Sequence, residues 1–137
     1  DCCRSVTVNE PVVLGLFAGT WNVNGKNCSE ADLTEWLTSV SRNGGHDSAP
    51  DLYAIGFQEF VDLNASNLLR EDPAKRRDCQ ARIEAALLQL HGEHYVVVAA
   101  EQMVGVFLLV FVQQRLASSV THVLSDSIKT GFGGTAG

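Results

Sequence analysis

Basic residues are in short supply in this chain: ten Lys and Arg stand against sixteen Asp and Glu, for a net charge of −6. A free-standing nucleic-acid binder needs clustered Lys and Arg along its contact face, so the charge argues against that class. A small phosphorylated headgroup, which asks for only a few local cations, stays open. Cysteine is scarce too. Cys2, Cys3, Cys28 and Cys79 form no CxxC pair and have no His at metal spacing, which argues against a zinc site. The opening residues Asp1-Cys2-Cys3-Arg4 lack both Met and the basic, apolar, small-residue order of a signal peptide. Reduced thiols in a cytosolic setting are the expectation, with the vicinal Cys2-Cys3 incidental. Long apolar runs are missing as well. The longest, Met103 to Val112, falls short of the roughly 20 residues that cross a bilayer. Joining it to Tyr95–Ala100 would put Glu101 and Gln102 in mid-membrane, an expensive arrangement. Two adjacent buried strands account for it better.

What is present is an ordinary globular composition, 45% hydrophobic and 19% charged over 137 residues, enough for a real core. Val12 to Val23 is apolar-rich with β-branched residues and predicts a central strand. Ser29 followed by Asp32 has a capping-box pattern, and Leu33, Trp36, Leu37 and Val40 then recur at helical spacing. Arg42 to Pro50 is a polar loop. Leu52 to Phe57 predicts a short buried strand. Asp72 and Pro73 open a second helix with Cys79, Ile83, Leu87 and Leu90 on its inner face, and Gly92 closes it. Tyr95–Ala100, Met103–Val112 and Val120–Lys129 read as three strands whose short connections favour antiparallel pairing. The fold class is α/β: a mixed sheet with helices on an outer face, its strands like half of a sandwich.

Two strand exits carry the candidate chemistry. Asn22 and Asn24 lie two apart and so share one face of an extended chain. Asn24-Gly25 is also a strong hairpin signal, but Lys26-Asn27-Cys28 and a capped helix follow it rather than a partner strand. Gln58-Glu59 leaves the second strand; such a pair is commonly no more than a polar exit, yet loops at the ends of buried strands are where sites collect. One carboxylate with two amides makes an all-oxygen cradle, which suits Mg²⁺ completed by water and substrate phosphate. The glycine-rich segment from Thr130 to Gly137 is either a flexible surface loop or a backbone cradle for an anion, with Lys129 beside it. Arg76, Arg77 and Arg82 are expected on a solvated helix face, and His46, His91, His94 and His122 to be non-catalytic.

The segments Phe17-Ala18-Gly19-Thr20-Trp21-Asn22-Val23-Asn24-Gly25, Asp51 to Ala65, Glu101 to Val106 and Ile128-Lys129-Thr130-Gly131-Phe132-Gly133-Gly134 together resemble the inositol polyphosphate 5-phosphatases. The synaptojanin-type and OCRL-type members are the most similar in pattern, and the match is clearest over residues 14–137. The resemblance implies the N-terminal half of a four-layer α/β/β/α sandwich of the endonuclease/exonuclease/phosphatase superfamily. It implies Mg²⁺ held by Asn22 and Glu59, with Asn24 beside the scissile phosphate. Lys129, Gly131, Gly133 and Gly134 match a segment that contacts the substrate phosphate. Val61, Leu63, Leu68 and Leu69 match a region near the membrane, where partial exposure would favour lipid contact and burial an ordinary core. The implied activity is hydrolysis of the 5-phosphate of phosphatidylinositol 4,5-bisphosphate and related inositides. The implied setting is cytoplasmic and peripheral on membranes, with a phosphoinositide headgroup as partner, no nucleic acid and no transmembrane segment.

The family pattern also requires a Ser-His, a Gly-Asp-x-Asn and a Cys-Asp-Arg segment, none of which occurs in these 137 residues. The chain is therefore expected to be a partial catalytic domain over residues 1–137 and inactive by itself. Two other readings stand beside it: a fragment of a phosphodiesterase of the endonuclease/exonuclease type, and a truncated, non-catalytic lipid-binding module.

Overall fold

The computed structural model describes residues 12–27, 29–41, 49–61 and 72–126. They form strand β1 (Leu16–Asn22), helix α1 (Glu30–Ser41), strand β2 (Leu52–Gln58), helix α2 (Pro73–His91), strands β3 (Tyr95–Met103) and β4 (Val106–Gln113), and a 3₁₀ turn at Gln114–Ser119. The sheet order is β1-β2-β4-β3. β1 and β2 run parallel, with Leu16 opposite Leu52 and Asn22 opposite Gln58. β4 is antiparallel to both β2 and β3. The sheet is mixed, as expected, because a helix connects β1 to β2 while a two-residue turn connects β3 to β4.

Alternation along the strands decides which face is covered. Phe17 of β1, Tyr53, Ile55 and Phe57 of β2, and Phe107, Leu109 and Phe111 of β4 are buried. They pack with Leu33 and Leu37 of α1 and with Cys79, Ile83, Ala86 and Leu87 of α2 in one cluster. Trp36 lies close over β1, its ring edge-on to Phe17 at 5.9 Å. That approach explains Gly19, where a Cβ would come within 2.8 Å of Phe17 and Trp36 ring carbons. The opposite sheet face carries Leu16, Val106 and Leu108, each at least two-fifths exposed.

Both helices begin, and α2 ends, where local chemistry directs. Ser29 Oγ accepts the Asp32 N–H at 3.1 Å and donates to the Asp32 carboxylate at 2.6 Å. Asp72 Oδ1 accepts from the N–H groups of Ala74 and Lys75 at the start of α2. Gly92 ends α2 in the left-handed region at φ 67°, its N–H donating to Leu88 O at 2.8 Å. A glycine takes that conformation without a Cβ penalty.

The structure corrects three expectations about elements. β1 starts at Leu16, not Val12, and Val12 and Val13 are more than four-fifths exposed. No strand occupies 120–126, the described part of the expected third strand; Val123 and Leu124 are exposed there. β3 continues beyond Ala100 to Met103 and carries a register shift between Val97 and Ala99, so the turn falls at Val104-Gly105.

Candidate active site at the strand ends

Asn22 and Gln58 end two parallel strands in the same register, so the residues beyond them leave the sheet side by side. Two backbone bonds carry the pairing past the strands: Val23 N–H donates to Gln58 O at 3.0 Å and Gly25 N–H to Glu59 O at 2.7 Å. Within this frame the Asn22 amide donates from Nδ2 to Glu59 Oε1 at 2.9 Å. The Asn22 Oδ1 accepts the Asn24 backbone N–H at 3.0 Å. The two side chains named from their strand-exit positions are thus in contact, although 37 positions apart in sequence.

The backbone here is unusual. Asn24 and Glu59 both have φ 49°, the left-handed region, and so does Val104 at φ 51° in the adjacent β3–β4 turn. A β-branched or charged residue held in that region costs on the order of 1–3 kcal/mol and persists only where its surroundings over-determine it. Those surroundings are visible. Phe60 is buried and donates its N–H to Gly105 O at 2.8 Å, fastening the Glu59 loop to the hairpin. Gln58 Nε2 donates to Thr20 Oγ1 at 3.2 Å, on the face of the sheet that the helices leave bare.

A hard divalent ion fits this donor set. Glu59 supplies a carboxylate and Asn22 an amide oxygen, and neither is buried. Among the described residues no group of three or more His, Cys, Asp and Glu is placed to hold a metal. One carboxylate with an amide oxygen, leaving the remaining positions to water and phosphate, suits a hard divalent cation.

Val61 is a correction. It is 8% exposed and belongs to the core cluster, so it is core rather than a lipid contact. Arg76 also departs from the expected solvated face: it donates to Ala100 O at 3.2 Å and lies over the Phe107 ring. Arg82 does pair at the surface, with Asp78 at 2.8 Å. Leu63, Leu68, Leu69, Lys129, Gly131, Gly133 and Gly134 lie outside the described residues. Sequence reasoning missed Lys75, which donates from Nζ to Gly25 O at 2.7 Å. A lysine in the first turn of a helix gives no sign that it will cross to another loop.

Residues 19–137 match the model of endonuclease/exonuclease/phosphatase family 2, and the chain belongs to that family. Human synaptojanin-1 is 31% identical over 149 residues, covering 99% of this chain and 9% of the relative. Caenorhabditis elegans synaptojanin is 34% identical, covering 98% of the chain and 13% of the relative. The Saccharomyces cerevisiae phosphatidylinositol 4,5-bisphosphate 5-phosphatase INP51 is 35% identical over 90% of the chain and 13% of its own length. The solved inositol polyphosphate 5-phosphatase domain of SPsynaptojanin, in complex with inositol (1,4)-bisphosphate and a calcium ion, superimposes with TM-score 0.62 at 28% identity. That match covers 77% of this chain and 29% of the solved one. The expected fold class and family stand on these similarities. The chain spans roughly a tenth of the curated relatives it matches.

Proposed function

We propose that this chain is the N-terminal part of a phosphoinositide 5-phosphatase catalytic domain that removes the 5-phosphate of phosphatidylinositol 4,5-bisphosphate and related inositides with Mg²⁺. The observation that carries the reading is the Asn22–Glu59 contact at the ends of two parallel strands. It occurs in a chain similar to a phosphatase domain solved with an inositol bisphosphate and a divalent cation. The bare sheet face bearing Leu16, Val106 and Leu108 is the kind of surface that a second sheet covers in a sandwich.

Asn22 and Glu59 would hold the ion: Glu59 as its carboxylate, Asn22 through an amide oxygen oriented by the Asn24 N–H and by the bond to Glu59. When bound, Mg²⁺ supplies Lewis-acid polarisation of the phosphoryl oxygens. Asn24, two residues after Asn22 on the loop leaving β1, would lie beside the scissile phosphate. Lys129, Gly131, Gly133 and Gly134 are assigned to substrate phosphate, a role that suits a cation and glycine backbone N–H groups. Leu63, Leu68 and Leu69 are assigned to lipid contact. No helix among the described residues is long and apolar enough to cross a membrane; the proposal places the protein in the cytoplasm, peripheral on membrane surfaces.

The test uses the full-length protein with soluble phosphatidylinositol 4,5-bisphosphate and, separately, abasic-site DNA. Mg²⁺-dependent phosphate release from the lipid with intact DNA is the expected result. Cleaved DNA without phosphate release would move the protein to the nuclease branch of its superfamily.

A further inference from the structure

We propose that Lys75 is a positioning residue for the metal site, clamping both ligand-bearing loops to the start of helix α2. The inference rests on the reading of Asn22 and Glu59 as metal ligands. Each of the two left-handed residues, Asn24 and Glu59, is followed by a residue that Lys75 touches. After Asn24 comes Gly25, whose carbonyl accepts from Lys75 Nζ at 2.7 Å. After Glu59 comes Phe60, whose ring centroid lies 5.0 Å from the same ammonium. Gly25 and Glu59 are themselves joined by the 2.7 Å backbone bond. One cation thus closes a triangle around the strained segment.

The clamp is anchored at its other end. The Lys75 N–H donates to Asp72 Oδ1 at 3.0 Å in the cap of α2, and Phe60 is 1% exposed, fixed from below by Gly105. Lys75 itself is only partly exposed, which strengthens its hydrogen bond and its attraction to the ring relative to the same contacts in open water. Without the ammonium, the Gly25 carbonyl loses its donor and Asn24 can relax out of the left-handed region. The Asn24 N–H would then leave Asn22 Oδ1, and the amide would lose the orientation that aims it at an ion. Lys75 makes no hydrogen bond to Asn22 or Glu59 and acts through the loops. Groups that orient ligands in this way typically affect metal affinity by 10–100-fold.

The bland alternative is that the lysine stem merely covers Phe60. Lys75→Met keeps that stem and removes the ammonium, so it separates the two. In the full-length protein, free Mn²⁺ is counted by electron paramagnetic resonance during titration, and deuterium uptake is followed for peptides spanning residues 22–26. Lys75→Met is expected to weaken Mn²⁺ about 10-fold and to speed exchange at Asn24 and Gly25 above all other sheet segments. Lys75→Arg, which keeps a cation and donors, is expected to recover most of the affinity. Should Lys75→Met not fold, Lys75→Gln replaces it with the same expectation. Wild-type Mn²⁺ affinity in the folded variant, or exchange raised evenly across the sheet, overturns the proposal. Glu59→Gln is titrated in parallel: wild-type affinity there removes the metal-ligand reading itself and leaves Lys75 without a metal site to position.

Discussion

The two ends of the sheet are built on opposite terms. At the end where β1 and β2 begin, polar groups are paired without backbone strain. Asp51 accepts the Gly15 N–H at 2.8 Å and forms an ion pair with Arg115. Pro50 O accepts from the Tyr95 hydroxyl at 2.6 Å and from Gln113 Nε2 at 3.3 Å. At the end where those strands finish, three of the four non-glycine residues with positive φ among the described residues are gathered. The exposed amide and carboxylate there pair mainly with each other. One end secures the fold, while the other holds side chains in a geometry that folding alone would not choose. Strain retained at one end of an otherwise well-satisfied sheet is the usual mark of a functional site.

Substitutions at the two ends should therefore separate activity from stability. The largest effect is expected from Glu59→Gln in the full-length protein. It removes the carboxylate proposed for the metal while keeping size, and turnover at low Mg²⁺ should fall on the order of 10²-fold or more, as when other charge-stabilising groups are removed. Its urea midpoint should stay near the wild-type value, because the substitution keeps the side-chain size and leaves an amide oxygen to accept the Asn22 bond. Near-full rate at low Mg²⁺ would mean that another residue holds the ion.

Gln113 is the converse case. It is 4% exposed and joined to four partners: its N–H to Asp51 O, Nε2 to Pro50 O and the Tyr95 hydroxyl, and Oε1 accepting from Arg115 Nε. Gln113→Met fills the same volume but removes three side-chain hydrogen bonds, at a cost of about 1–3 kcal/mol. A lower urea midpoint with an unchanged Mg²⁺ requirement is expected. A shifted Mg²⁺ requirement would show that the two ends are coupled and that the division drawn between them is wrong.

Much of this was legible in the chain because it is local. Asp72, Pro73 and Gly92 bracket α2 by capping chemistry that needs no distant partner, and Cys79, Ile83 and Leu87 face the core as their spacing required. The contact between Asn22 and Glu59 was legible because both stand at strand exits. What escaped depended on pairing. Val120, Val123 and Leu124 have strand-like composition, but composition does not supply a neighbouring strand, and 120–126 lies beyond a 3₁₀ turn instead. Strand propensity expresses fit to a half-buried surface more than a backbone preference. In sequence Gln113 merely follows the apolar run that ends at Val112; its role exists only because Pro50, Tyr95 and Arg115 converge on it.

The smallest expected effect lies at His91, near the secured end of the sheet. Its Nε2 and the Tyr53 hydroxyl are hydrogen-bond partners at 2.6 Å, and its ring lies 5.9 Å from that of Tyr95. Burial lowers its pKa below the ordinary histidine value, against an opposing upward pull from the Glu93 carboxylate. A histidine harder to protonate when folded favours the folded state at pH above its unfolded pKa, about 6.5. As pH falls through that value the unfolded chain takes up a proton that the folded one resists, so stability declines until the lower folded pKa is passed. Urea midpoints measured from pH 7.5 down to pH 5 should therefore decline in the wild type and decline less in His91→Gln. Equal slopes would show that protonation of His91 is not linked to folding. The Mg²⁺ midpoint of His91→Gln at pH 7.5 should match the wild type, because His91 belongs to the end of the sheet that secures the fold and not to the end proposed to hold the metal.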